Sequence, residues 1–351
     1  MIGSKRAINS TRIALEVGVS RSTVSKVINN YPNISEETRQ RVWGAIEKLG
    51  YSPDVSARIL AGKGTDTIAL FLAGSGRFSG DILVDVMIGS MVESAAEAGY
   101  HILTYIVRNP DDVEAMRSIK EVFYQRRADA GVFVGFRDDS EVTRQLVDDG
   151  IAVGVFDQST RGPVYPNRAI ANFDDERVAE SAINYLVGLG HRLIAVINGD
   201  PVRNAGRGRQ AGFARALESH GITPDSSWVV CGDFSRESGY RLASEILSTG
   251  PHPTAIAAVN DSVAFGAIEA IRDAGLVVPA DISVVGIDGH PLGSYVTPRL
   301  TTFTYDFGAM FRSLIVALAR IVEGDSPEHN LHQVFTGSFT ERESCAGPIR
   351  K

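Results

Sequence analysis

Apolar positions recur at helical spacing through the first fifty residues. Ile13, Ala14 and Val17 predict a short helix that Asn9 or Ser10 can cap. Gly18 supplies a permissive turn, and Ser20 caps a second helix from Arg21 to about Asn29 with Val24, Val27 and Ile28 inward. Tyr31-Pro32-Asn33 breaks the pattern. Ser35 then opens a third helix with Glu36 and Glu37 in its first turn, an apolar stripe of Val42, Ile46 and Leu49, and Gly50 as its stop. Two short helices joined by a glycine turn are the helix-turn-helix pattern.

Beyond residue 63 the period changes. Short β-rich runs are expected at Ile68–Ala73, His101–Val107, Ala130–Phe136, Ala152–Phe156, Ala169–Phe173, Arg192–Asn198, Val229–Phe234, Ala255–Asn260, Ile282–Asp288 and Thr301–Tyr305. Amphipathic stretches such as Val84–Ala98, Asp174–Leu189, Arg209–His220 and Asp261–Ala274 lie between them. Such alternation predicts an α/β fold with parallel sheets and helices on both faces. Ligands of such folds sit at the carboxyl ends of the strands. Asp157, Asn172, Asp174, Asn260 and Asp288 all close strands, and clustered strand-end acids and amides suit a ligand with several hydroxyls. Asp261, and Asp174 as well, is expected to cap the helix that follows it.

Charge sharpens the division. Residues 1–63 hold ten Lys/Arg against five Asp/Glu, while the 351-residue chain as a whole carries −7, which leaves −12 for the rest. A basic head on an acidic body is the footprint of a nucleic-acid reader joined to another function. Apolar runs fall far short of the roughly 18 residues of a membrane span, the N-terminus has no signal-peptide pattern, and two cysteines, Cys231 and Cys345, suit a reducing cytoplasm. No G-x-S-x-G elbow, Walker loop, H-E-x-x-H or Cys/His metal spacing occurs, and the seven histidines are scattered. Neither an enzyme, a metal site nor a cofactor is expected.

The run ALEVGVSRSTVSKVINNYPNISEETRQRVWGAIEKLGYSPDVSARILAGK closely resembles the LacI/GalR family of bacterial repressors, with VGVS-x-x-TVS-x-V-x-N, SEETRQRV and LGY-x-P in order. In the body, DTIALFL, AAEAGY, GLGHR, R-x-x-G-F, AAVNDSVAFGAIEAIRDAG, VPADISVVGID and LTTFTYD extend the resemblance. It implies a helix-turn-helix domain over 1–53, a hinge helix over 54–63, and over 64–351 an effector-binding and dimerisation domain. That domain would be similar to periplasmic sugar-binding proteins: two lobes, with chain crossings near residues 160, 290 and 325.

The resemblance also assigns roles. Arg21, Ser22 and Lys26 would read base edges in the major groove, and Ser20, Thr23, Ser25 and Asn29 would grip phosphate. Lys26 stands where members usually carry Arg, so the bidentate fork is lost there. Leu60 would wedge into the minor groove, with Ala57 and Ala61 allowing close approach. Asp157, Phe173, Arg209, Asn260 and Asp288 would hold the effector. The resulting expectation is a cytoplasmic, dimeric repressor on near-palindromic operator DNA, released by a sugar. A purine effector, an activator role and a sugar-binding transport protein are the alternatives.

Overall fold

The structure is a computed structural model and describes residues 9–28, 31–51, 64–74, 82–159, 164–248, 250–325 and 332–348. Its contacts divide the chain into two units, Met1–Thr65 and Asp66–Lys351. Asn29, Ala57, Leu60 and Ala61, and the expected hinge helix, lie outside the described residues.

The first unit holds α1 (Ser10–Val17), α2 (Arg21–Ile28) and α3 (Glu36–Leu49). Side-chain oxygens of Asn9, Ser20 and Ser35 accept the amides of Arg12, Thr23 and Thr38, which caps each helix. Gly18 at φ +71° and Gly50 at φ +62° end α1 and α3 in the left-handed region. Ile13, Ala14, Val17, Val24, Val27, Val42, Ala45 and Ile46 form one small core. The Arg41 guanidinium donates to the Val17 carbonyl, and Lys48 pairs with Glu16 at 2.8 Å, so α3 is tied twice to the C-terminal end of α1.

The second unit contains two six-stranded sheets. The first comprises β1 (Thr67–Ala73), β2 (His101–Val107), β3 (Ala130–Val134), β4 (Ala152–Phe156), β5 (Arg168–Phe173) and β11 (His332–Phe335), in the order β11-β5-β4-β3-β1-β2 and parallel throughout. The second comprises β6 (Ile194–Asn198), β7 (Val229–Cys231), β8 (Ala255–Ala258), β9 (Ser283–Asp288), β10 (Thr301–Thr304) and β12 (Ser338–Thr340), in the order β12-β10-β9-β8-β6-β7, with only β12 antiparallel. The central strands are buried on both faces, which is why they read as continuous apolar runs. Helices α4 (Ile82–Glu97), α5 (Val113–Tyr124), α6 (Glu141–Asp148) and α11 (Phe307–Val322) pack with the first sheet. Helices α7 (Asp175–Gly188), α8 (Asn204–Ser219), α9 (Arg236–Ser248) and α10 (Asp261–Asp273) pack with the second.

Three expectations need correction. The chain passes between lobes near residues 174, 305 and 336, not 160, 290 and 325. β5 pairs with β4, so the chain stays in the first lobe past 160. β10 pairs with β9, so it stays in the second past 290. α11 and β11 both join the first sheet, so nothing crosses at 325. Helix α8 begins at Asn204, five residues ahead of expectation. Gly206 and Gly208 in this added turn are contact positions: a Cβ on Gly206 would lie 2.0 Å from the Asp200 carbonyl, and one on Gly208 2.9 Å from Asp175 Cβ. Strands β11 and β12 were not expected at all.

Candidate nucleic-acid interface and ligand cleft

Helix α2 buries Val24 and Val27, and the 100° step per residue then turns Arg21, Ser22, Ser25 and Lys26 outward together. All four are exposed, and Thr23 is half-buried beside them. Ser20 Oγ accepts the Thr23 amide and lies 2.7 Å from Ser22 Oγ and 2.8 Å from Thr23 Oγ1, so the cap joins three hydroxyls at the start of the helix. Arg21 Nε donates to Ser10 Oγ at 3.0 Å, which steadies the guanidinium above the helix N-terminus. This corner presents cations and hydroxyl donors, the groups that contact base edges and phosphate oxygens.

In the second unit, Arg209 on α8 is the central group. It is 2% exposed. Its Nε donates to Asp175 at 2.8 Å, and its Nη1 donates to the Val259 carbonyl at 2.6 Å and meets Asp288 at 3.0 Å. The Phe173 ring lies below the guanidinium, 5.8 Å to its centroid, and packs in turn against Tyr305 in a tilted pair with centroids 4.5 Å apart. The structure thus brings Phe173, Arg209 and Asp288 together. Asp288 stands at φ +115°, a conformation that L residues rarely adopt, at the end of β9.

The other two expected ligand residues are engaged within the protein. Asp157, at φ +57° on the end of β4, accepts from Asn204 Nδ2 at 2.9 Å. Asn260 caps α10 through the Val263 amide and donates Nδ2 to the Phe234 carbonyl at 3.0 Å. The cap is therefore Asn260 and not Asp261. Asp261 is the first residue of the helix, and its buried carboxylate accepts the His290 amide and the Thr302 hydroxyl, both at 2.6 Å. This holds the turn that follows Asp288. Asp174 occupies a cap position but makes no capping bond.

Burial pushes the carboxyl of Asp288 up against the pull of Arg209, and that of Asp157 up against Asn204. It carries Asp175 up to about 7, with Arg209 opposing. Burial also works against the charge of Arg209, yet Asp288 and Asp175 keep it above its usual range. One oxygen of Asp175 and the Tyr305 hydroxyl are buried without a hydrogen-bond partner.

Asp175, Tyr305, Arg203 and Phe234 were not singled out from the sequence. Arg203 stands over the Phe234 ring at 5.7 Å, just past the carboxyl ends of β6 and β7. Tyr305 follows directly on β10, so the strand-end rule that selected Asp157 and Asp288 could have found it, whereas Asp175 stands one residue further on, behind Asp174. Among the described residues no group of His, Cys, Asp or Glu could hold a metal ion, and no helix is long and apolar enough to cross a membrane.

Residues 12–54 match the profile of bacterial regulatory proteins of the lacI family, and residues 183–345 match that of the periplasmic binding protein-like domain. The chain is 36% identical over 343 residues to the HTH-type transcriptional repressor PurR of Escherichia coli O139:H28, covering 96% of this chain and 97% of that one. The repressor PurR of Erwinia tasmaniensis is 33% identical over 341 residues, with the same shares. Among solved structures, the lac repressor dimer bound to operator and the anti-inducer ONPF superposes with a TM-score of 0.81 at 26% identity, over 97% of this chain and 100% of that one. A CelR–cellobiose complex, at 24% identity over 96% of this chain and 99% of that one, shares the fold with a TM-score of 0.73. The α-helical head, the paired parallel sheets and these relatives together establish that the chain belongs to the LacI family of transcriptional regulators.

Proposed function

We propose that the protein is a dimeric repressor that reads near-palindromic operator DNA through α2 and answers to a small effector in the cleft beside Arg209. The observation that carries the DNA reading is the outward face of Arg21, Ser22, Ser25 and Lys26, set opposite the core residues Val24 and Val27. The relatives named as repressors support the direction of control. One such head covers too little DNA for tight specific binding, which favours two-fold pairing. Exposed Leu103 and Ile106 on the edge strand β2, with Val92 on α4, offer an apolar face for a second copy.

For the effector, a purine-type heterocycle is the first reading. Arg203 over Phe234 supplies flat cationic and aromatic surfaces, and Asp288 can accept from a ring N–H. The PurR relatives favour the same class. A carbohydrate is the second reading, supported by the Phe173 ring and by Asp157 and Asp288 at the strand ends.

The DNA reading is checked by fluorescence anisotropy of the full chain on palindromic and scrambled duplexes over a salt series. Specific, salt-dependent binding at two protomers per site is expected. The effector reading is checked by thermal shift with purine bases in one arm and neutral monosaccharides in the other. At 100 times its Kd a ligand adds about 2.7 kcal/mol. Stabilisation by monosaccharides alone would replace the purine reading with the carbohydrate one.

A further inference from the structure

Two buried side chains, Asp261 and Thr302, converge on the turn that leaves β9. The register of β9 and β10 sets Thr302 opposite Gly286, two residues before Asp288. A Cβ on Gly286 would come 2.2 Å from Asp261 Oδ1, so the glycine is what lets that carboxylate lie against the strand. Thr302 Oγ1 donates to Asp261 Oδ1 at 2.6 Å and accepts the Gly289 amide at 3.4 Å. The other carboxylate oxygen, Oδ2, accepts the His290 amide at 2.6 Å. The His290 ring in turn accepts the Leu292 amide at 3.1 Å, which caps the one-turn 3-10 helix Pro291–Ser294. It also meets Phe265 in a T-shaped pair with centroids 5.3 Å apart. Both amides that follow Asp288 are thus anchored on one acid–hydroxyl pair.

Asp288 stands at φ +115° and Gly289 at φ +74°. A residue other than glycine keeps such a backbone only where its surroundings over-determine it. The bond to Arg209 holds the Asp288 carboxylate but not the peptide that follows, and it is that peptide which Asp261 and Thr302 fix. Asp261 is the first residue of α10, where the helix dipole favours a negative charge. We propose that Asp261 and Thr302 are positioning residues for effector recognition. They hold the two peptides after Asp288 and so set the direction in which its carboxylate meets Arg209 and a ligand. The proposal rests on the reading of Asp288 as an effector contact. An acceptor held in place before the ligand arrives loses less freedom on binding, so affinity should follow this preorganisation. Both residues act through the main chain, so the role is the same for a purine and for a sugar.

The test is isothermal titration of the full chain with adenine and hypoxanthine as purine probes and with glucose and galactose as monosaccharide probes. Asp288→Ala examines the reading beneath the proposal and should lose the probe that wild type binds. Valine keeps the shape of threonine without its hydroxyl, so Thr302→Val should bind that probe about tenfold more weakly, as for loss of one hydrogen bond to a charged group. Thr302→Ser keeps the hydroxyl and should keep wild-type affinity, although the lost methyl lowers its melting temperature. A merely structural role would instead make affinity follow melting temperature. Asp261→Asn, which keeps the side-chain shape, is the second variant and should weaken binding as Thr302→Val does. Hydrogen exchange without any probe should quicken in the peptide covering 289–292 of both weakened variants, with β1 unchanged. Wild-type affinity in Thr302→Val and Asp261→Asn, with binding lost in Asp288→Ala, overturns the positioning role alone. Normal binding by Asp288→Ala, or no probe bound by wild type, removes the reading of Asp288 and the proposal with it.

Discussion

The carboxylate of Asp288 and the guanidinium of Arg209 meet at 3.0 Å, with side chains 12% and 2% exposed. Asp175 grips the same guanidinium from the other side at 2.8 Å. Arg209 therefore supports the fold of the second lobe.

Arg209→Ala is expected to cost about 3–5 kcal/mol in the stability of the body, because Asp175 and Asp288 would remain buried with no counter-charge. Urea unfolding followed through the body's fluorescence measures this. A loss below about 1 kcal/mol would mean that water reaches the pair freely and that its burial is energetically empty.

Asp175 gives the body a pH dependence of unusual sign. Its folded pKa, near 7, lies above the ordinary 3.8, so the folded state binds more protons than the unfolded chain between those values. Stability contributed by this group then falls as pH rises from 4 to 7. Asp157 and Asp288 are displaced in the same direction by burial. Melting curves of wild type and Asp175→Asn over that range are expected to converge at low pH and separate near neutrality, with the variant the more stable. Parallel curves would show that Asp175 stays ionised throughout.

Arg21→Ala should relax base preference at one operator position, at a cost of about 1–3 kcal/mol on the preferred sequence. Selection from a randomised duplex pool reads this directly. An unchanged preference would move Arg21 from base reading to phosphate contact, where a loss is shared by all sequences.

Gly212→Ala tests the seam between α7 and α8. A Cβ there would stand 2.1 Å from the Glu176 carbonyl, so the helices must part. A loss of about 1–3 kcal/mol is expected from this overpacking, with DNA binding by the head unaffected. A melting temperature equal to wild type would show that the helices slide at no cost.

Legibility along the chain followed burial. Strands such as TIALFLA and AVGVF are buried on both faces, so their composition alone announces them. β11 (HQVF) and β12 (SFT) are edge strands of four and three residues with half-exposed side chains, too short to display any period. Asp288 was marked by the strand-end rule, and Phe173 and Arg209 by the family resemblance, Arg209 within its R-x-x-G-F motif. Asp157 and Asn260 were marked by the strand-end rule too, yet their polar atoms are already satisfied by Asn204 and by the α10 cap. Which strand-end group is spent inside the protein is decided by neighbours far away in sequence, as with Asn204 and Asp157, and no local pattern carries that information.

The last two strands come at the end of the chain, and each completes a different sheet. Ser344 then fastens the second lobe by accepting the Thr301 amide at 2.8 Å and donating to the Val284 carbonyl at 2.6 Å, and the Ala346 carbonyl meets His191 at 2.8 Å. During synthesis the head has all of its core residues once Tyr51 has left the ribosome, whereas the first sheet lacks β11 until residue 335 has emerged and the second lacks β12 until residue 340. A nascent or prematurely terminated chain would thus carry a finished DNA reader on an unfinished sensor, so a stop codon in the final segment should release polypeptides able to touch DNA and unable to answer an effector.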